Sequence, residues 1–129
     1  FAQGDVMTSS YLKPRVFVCH QPTDLRLHFE GLWGLVRSSL NKDPFEGDHF
    51  VFIAKSRKRI KVLRWDGTGL CILCKRLDKG LFFAPWQRKS EEPIVLTPSE
   101  LALLLEGSEQ VGRIKLSPEP WVPSVPTAA

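Results

Sequence analysis

Residues 49–77 read HFVFIAKSRKRIKVLRWDGTGLCILCKRL, and this stretch decides the fold. His49 to Ala54 (HFVFIA) is rich in β-branched and aromatic residues and predicts a strand. A basic connection, Lys55 to Lys58, leads to a second predicted strand, Arg59 to Asp66 (RIKVLRWD). Asp66-Gly67 is the strongest short-range hairpin signal a sequence can carry. It joins that strand to a third, Leu70 to Leu77 (LCILCKRL). Asp78-Lys79-Gly80 marks another turn, and Leu81 to Ala84 (LFFA) reads as a fourth, short strand. In the second strand, alternation sends Arg59 and Lys61 to one face and Ile60 and Val62 to the other. Leu63 and Arg64 break that alternation, which asks for a bulge or a partly covered outer face.

Upstream, Arg15 to Cys19 (RVFVC) predicts a strand between Pro14 and Pro22. Thr23 to Leu40 predicts a helix, with Thr23 as N-cap and Asp24 in its first turn. Leu25, Phe29, Leu32, Trp33, Val36 and Leu40 form its apolar stripe. Gly31 and Gly34 weaken it by about 1 kcal/mol each relative to Ala and offer a strand room to approach. Asn41 to Asp48 is a turn-rich loop. Downstream, residues 85–93 form a polar loop and Ile94 to Leu96 adds a short fifth strand. Thr97, Pro98 and Glu100 then spell a capping box with proline at the first helical position. Leu101, Leu104 and Leu105 give that helix its apolar face, and Gly107 ends it.

This order predicts an α+β domain over residues 15–112. Its expected form is an antiparallel β-meander of four to five strands plus an N-terminal strand, with two helices packed on one face. Residues 1–14 read as a tail. The sequence starts at Phe1 rather than Met, and Phe1 to Val6 are set aside as an upstream or vector-derived remnant. Residues 113–129, rich in proline, read as a flexible tail.

Composition bounds the class. At 129 residues, 43% hydrophobic and 25% charged, the chain is neither a disordered polymer nor a fibre. Its apolar runs are only a few residues long, too short for a spanning helix. Three cysteines form no even disulfide framework, so the expected setting is a reducing cytoplasm.

The net charge of +4 is modest, but its distribution is not. Residues 55–89 hold eleven Lys or Arg against Asp66 and Asp78, a net +9. The rest of the chain, with seven cations and twelve acids, is net −5. Such a segment predicts a surface for a polyanion, DNA above all. A solvated sheet with cations guarding its edge is the plainer alternative. The candidate contacts are Lys55, Arg57, Lys58, Arg59, Lys61, Arg64, Lys75, Arg76 and Arg88. Trp65 and Trp86 are interleaved with them and are candidates for stacking on bases. Phe82 or Phe83, whichever faces inward, is expected in the core.

No other pattern converges on chemistry. Cys71 and Cys74 form a CxxC, but residues three apart in a strand point to opposite faces, so the pair reads as two small buried hydrophobes rather than a metal site. His20, His28 and His49 share no short spacing and are assigned packing or surface roles. Asp24, Asp43, Asp48, Asp66 and Asp78 all fall at caps or turns, where the carboxylate serves the backbone. No phosphate loop, nucleophile elbow or paired carboxylates appear. The expectation is a protein that is not an enzyme, with no cofactor and no metal.

Several blocks, in this order and spacing, resemble one family. They are Gln21-Pro22-Thr23-Asp24-Leu25-Arg26, Phe29-Glu30-Gly31-Leu32 and Asp43-Pro44-Phe45. They continue as Phe50-Val51-Phe52, Arg59-Ile60-Lys61-Val62-Leu63 and Trp65-Asp66-Gly67-Thr68-Gly69. Lys75-Arg76-Leu77, Gly80-Leu81-Phe82 and Leu101 to Gly107 complete the set. Residues 16–107 resemble the small accessory protein of bacterial insertion sequences of the sixty-six class, the second open reading frame product sometimes called TnpB, unrelated to the RNA-guided nuclease of that label. The resemblance implies a non-catalytic role in DNA transposition, beside a separate transposase and another accessory protein of the same element. It carries over no functional residues. Two functional readings follow: DNA binding through the basic hairpin region, or docking to the transposase or the other accessory protein without touching DNA.

Overall fold

The computed structural model describes residues 14–90 and 92–107; all but Pro14 of the tail read at 1–14, and the whole of that read at 113–129, lie outside the described residues. Five strands form one sheet: β1 (Val16–Val18), β2 (His49–Ile53), β3 (Arg59–Trp65), β4 (Leu70–Arg76) and β5 (Ile94–Leu96). Their order is β4-β3-β2-β1-β5. Two helices, α1 (Phe29–Ser38) and α2 (Pro98–Leu105), complete an α+β fold.

The meander is β2-β3-β4, antiparallel throughout, with β3 paired to β4 from Arg59↔Arg76 to Trp65↔Leu70. The Asp66-Gly67 hairpin forms where expected, with Gly67 at φ +106. The pairing runs on without a bulge. β1 is parallel to β2 and antiparallel to β5, so the sheet is mixed. A parallel pair needs a crossover, and α1 lies within it.

The two helices cover opposite faces of the sheet, not one. Val16, Val18, Val51, Ile53, Ile60 and Val62 pack with Leu101 and Leu104 of α2. On the other face, Phe17, Phe50, Phe52 and Leu63 pack with Leu32 and Val36 of α1. The cause is written in β1 and β2, which are buried at nearly every position. A strand apolar on both sides needs cover on both sides. The same cover explains Leu63, which is fully buried under α1 on the face shared with Arg59 and Lys61.

Two elements differ from the sequence reading. Residues 81–84 form no strand. They turn off the sheet after Gly80, whose φ of +80 sets the bend, and end in a single 3₁₀ turn at Pro85–Gln87. Their apolar run is core all the same, with Phe82, Phe83 and Ala84 all buried. The first helix begins at Phe29 rather than Thr23. The Thr23 hydroxyl donates back to the carbonyl of Gln21 at 3.4 Å and so is not turned toward a helical N–H, while the Thr23 N–H pairs with the carbonyl of Ile53 at 2.9 Å. Asp24 instead closes a local turn, accepting from the Arg26 N–H at 3.0 Å. The second helix keeps its expected cap. The Glu100 N–H donates to Thr97 Oγ1 at 3.1 Å, and the Thr97 N–H donates to Glu100 Oε1 at 2.8 Å.

Neither helical glycine makes room for a strand. Gly31 faces the Leu27 side chain, and a Cβ on Gly34 would meet nothing within 4 Å. Gly34→Ala therefore stabilises the fold by about 1 kcal/mol. Chemical denaturation should show a raised midpoint with unchanged slope; an unchanged or lowered midpoint would contradict the open surroundings of Gly34.

Candidate nucleic-acid interface

The predicted contact residues sort by what their heads already hold. Arg57, in the left-handed region at φ +63, donates Nε to the carbonyl of Phe82 at 2.8 Å. Its own carbonyl accepts the Phe82 N–H at 2.8 Å. Lys58 Nζ donates to the carbonyl of Gly80 at 2.8 Å. Lys75 Nζ donates to the carbonyl of Leu105 at 2.6 Å, where cationic heads suit the end of a helix. Lys61 Nζ donates to the carbonyl of Leu27 at 2.8 Å and lies 3.3 Å from His28 Nδ1, fixing the entry to α1. Arg88 reaches the carbonyl of Glu92 at 3.5 Å.

Lys55, Arg59, Arg64 and Arg76 are exposed, and no hydrogen bond joins their side chains to a described residue. The ion pairs of the described residues lie elsewhere, on Arg15 with Glu46 and Asp48 and on Arg26 with Asp24. Arg64 emerges on the α2 face. Arg59 and Arg76 stand directly opposite each other across β3 and β4, on the α1 face. Like charges so placed destabilise a sheet unless something anionic lies between them. They border a cleft of about 430 Å3 that Leu25, Lys61, Cys74 and Lys75 also line, with no acidic side chain among the described residues that line it.

The tryptophans sit away from that cleft. Trp65 is half-buried and meets Phe45 edge-on, with ring centroids 4.8 Å apart; Phe45 meets Trp33 in the same way at 4.8 Å. Trp86 packs against the α2-side core beside Phe82 and Phe83. No local pattern signals that Phe45, in the DPF turn, links Trp33 to Trp65, because that contact joins three separate elements. Leu25 in the cleft was equally invisible, since it was read as helical.

β4 lies at the sheet's edge, and its cysteines follow suit. Cys74 is exposed and Cys71 half-buried, against the expectation that both would be buried. They fall on opposite faces, opposite Lys61 and Arg64 respectively. Cys71 donates its thiol to Asp66 Oδ2 at 3.3 Å, and this bond, then burial, pushes its pKa up.

Asp66 organises the hairpin. It accepts from the N–H groups of Thr68 and Gly69, at 2.9 and 3.0 Å, and from the Thr68 hydroxyl. These bonds, the backbone ones first, lower its pKa from 3.8 to about 2. A depressed carboxylate stabilises the fold above its ordinary value and loses that contribution as pH falls through about 2. An NMR titration of the Asp66 carboxyl should give a midpoint near 2, with the Thr68 and Gly69 amides following it. A midpoint at the ordinary 3.8 would mean that these bonds do not persist in solution.

The remaining histidine on this side, His49, is half-buried. Burial, then the charge of Arg64, lowers its pKa against the pull of Asp48. A larger groove, about 870 Å3, runs by Phe17, Leu40 and Val95, but it mixes Asp24 and Glu92 with Arg15 and Lys42 and lacks the one-sign character of the smaller cleft. Among the described residues, no helix is long and apolar enough to cross a membrane.

The chain is 38% identical to the uncharacterized protein y4jC of Sinorhizobium fredii over 104 residues, covering 81% of this chain and 86% of that one. It is 37% identical to the uncharacterized protein y4hO of the same organism over 93 residues, covering 72% and 79%. No solved structure matches. The profile of the IS66 Orf2-like proteins matches residues 14–113, a span that holds every described strand and helix. The chain belongs to the IS66 Orf2-like protein family.

Proposed function

We propose that this protein is a non-catalytic accessory factor of DNA transposition that holds the DNA backbone on its β3-β4 hairpin. One observation carries the reading. Arg59 and Arg76 stand side by side across two strands, exposed, with no carboxylate among the described residues of their cleft. A polyphosphate backbone supplies the anion that such a pair lacks, and guanidinium groups hold phosphate oxygens bidentately. Lys55 and Arg64 extend the charge around the edge. Among the described residues the cleft carries no aromatic side chain, which suits phosphate contact and not base stacking. Among the eleven predicted contacts, this reading rests on Arg59 and Arg76 first, then Lys55 and Arg64. Arg57, Lys58, Lys61 and Lys75 serve the fold as well, through the carbonyls they hold.

Fluorescence anisotropy tests the reading, with one duplex carrying a terminal inverted repeat of the element and a scrambled duplex of equal length. Binding to both, falling steeply with added salt, is the expected result. Tighter binding to the repeat would add recognition of element ends. No binding to either duplex, together with co-purification of the transposase after nuclease treatment, would replace DNA with protein as the partner of this surface.

A further inference from the structure

The two edges of the sheet are built differently. β5 has three residues, with Pro93 just before it and Pro98 two residues after it. Short length and flanking proline protect an edge from pairing. β4 has seven residues, no proline, and no described strand on its outer side. At one end the Asp66 N–H donates to the carbonyl of Gly69, and at the other the Leu77 N–H donates to the carbonyl of Lys58. Alternation between these points commits the backbone groups of Cys71, Leu73 and Lys75 to β3. Those of Leu70, Ile72, Cys74 and Arg76 point away from the sheet. At the middle of this open edge stands Leu73, 51% exposed.

We propose that β4 pairs antiparallel with β4 of a second copy, about a two-fold axis through Leu73, joining two five-stranded sheets into one. The register follows from the residues. With the axis at Leu73 all seven residues overlap, and every outward backbone group has a partner. Ile72 pairs with Cys74 of the second copy, and Leu70 with Arg76. Leu73 meets Leu73 of the second copy in a non-hydrogen-bonded pair, where side chains come closest, and each covers the other's exposed apolar surface. Each cation falls opposite an uncharged residue, Lys75 opposite Cys71 and Arg76 opposite Leu70. An axis moved to Lys75 would set lysine against lysine, which destabilises. The chosen register also carries the Asp66 turn of each copy toward Lys79 of the other. Such a self-complementary contact closes as a dimer and leaves no further β4 edge open.

An axis normal to the sheet keeps both copies the same way up. The two Arg59–Arg76 clefts then lie on one side of the assembly, with the two Arg76 positions about 20 Å apart along the paired strands. The dimer itself does not depend on what the clefts bind.

Light scattering on the full chain tests the proposal across the micromolar range. Twice the monomer mass is expected for the natural sequence. Leu73→Lys, which opposes two like charges at the axis, should give the monomer mass with an unchanged far-UV circular dichroism spectrum. Leu73→Cys, in a Cys71→Ser/Cys74→Ser background, should form an inter-chain disulfide under mild oxidation, because a directly opposed pair meets the distance a disulfide needs. A monomer at every concentration would overturn the proposal, as would a dimer that Leu73→Lys leaves intact. Cross-linking through Cys74 with none at Leu73→Cys would overturn the register.

Discussion

Phe82→Ala should lower the unfolding free energy by about 3–5 kcal/mol, a cost of the size that removing a buried aromatic ring carries. Phe82 belongs to no strand or helix, yet it is fully buried among the residues that α2 covers. Its N–H and carbonyl are both satisfied by Arg57, so the backbone is held in place while the ring is deleted. The site therefore cannot collapse easily, which places the loss toward the upper end of that range. Urea denaturation followed by tryptophan fluorescence reads the change directly. Leu103→Ala is the matched control: Leu103 is 51% exposed on α2, and its truncation should stay within about 0.5 kcal/mol. A Phe82→Ala loss no larger than that of Leu103→Ala would take residues 81–84 out of the core.

The second large effect falls on binding. Arg59→Gln/Arg76→Gln should lower the affinity for any duplex about 60-fold at 0.1 M salt. That figure follows from two phosphate contacts, each with a slope of about −0.9 in log affinity against log salt. The slope itself should fall by about 2. Both residues are exposed and hold no described neighbour, so stability should not fall; relieving their mutual repulsion favours the fold slightly. Arg57→Gln makes the opposite control. It removes a guanidinium from the same basic segment, but one bonded to the carbonyl of Phe82. It should destabilise the protein while changing DNA affinity less than either arginine of the cleft. Equal losses of affinity for all three substitutions would mean that overall charge, and not the cleft, sets binding.

These contrasts show how far local sequence carries. The Thr97 capping box, the Asp66-Gly67 hairpin and the alternation of Arg59 to Val62 depend on residues within a few positions of one another. Each is therefore legible from spacing alone, and each forms as read. The start of α1 was not legible. Thr23 has every local property of an N-cap, but its hydroxyl donates back to the carbonyl of Gln21 and its backbone is tied to Ile53, thirty positions away. Likewise LFFA has the composition of a strand, but the turn at Gly80, the bonds of Arg57 to the N–H and carbonyl of Phe82 and the bond of Lys58 to the carbonyl of Gly80 take it off the sheet.

The same division runs through the candidate site. Charge counting along the chain found the basic segment but could not tell a free guanidinium from an ammonium holding a carbonyl. Lys61 and Lys75 look like Arg59 and Arg76 in the sequence; they differ because Leu27 and Leu105 come to them in space. Neighbours along the chain set the α+β class, the three-stranded meander β2-β3-β4, the Thr97 cap and the +9 segment. Which side each helix covers, that β1 runs parallel to β2, and which cations hold no described carbonyl emerge only once the chain is folded. Those outcomes depend on burying both faces of one sheet at once, a condition no local window of residues contains.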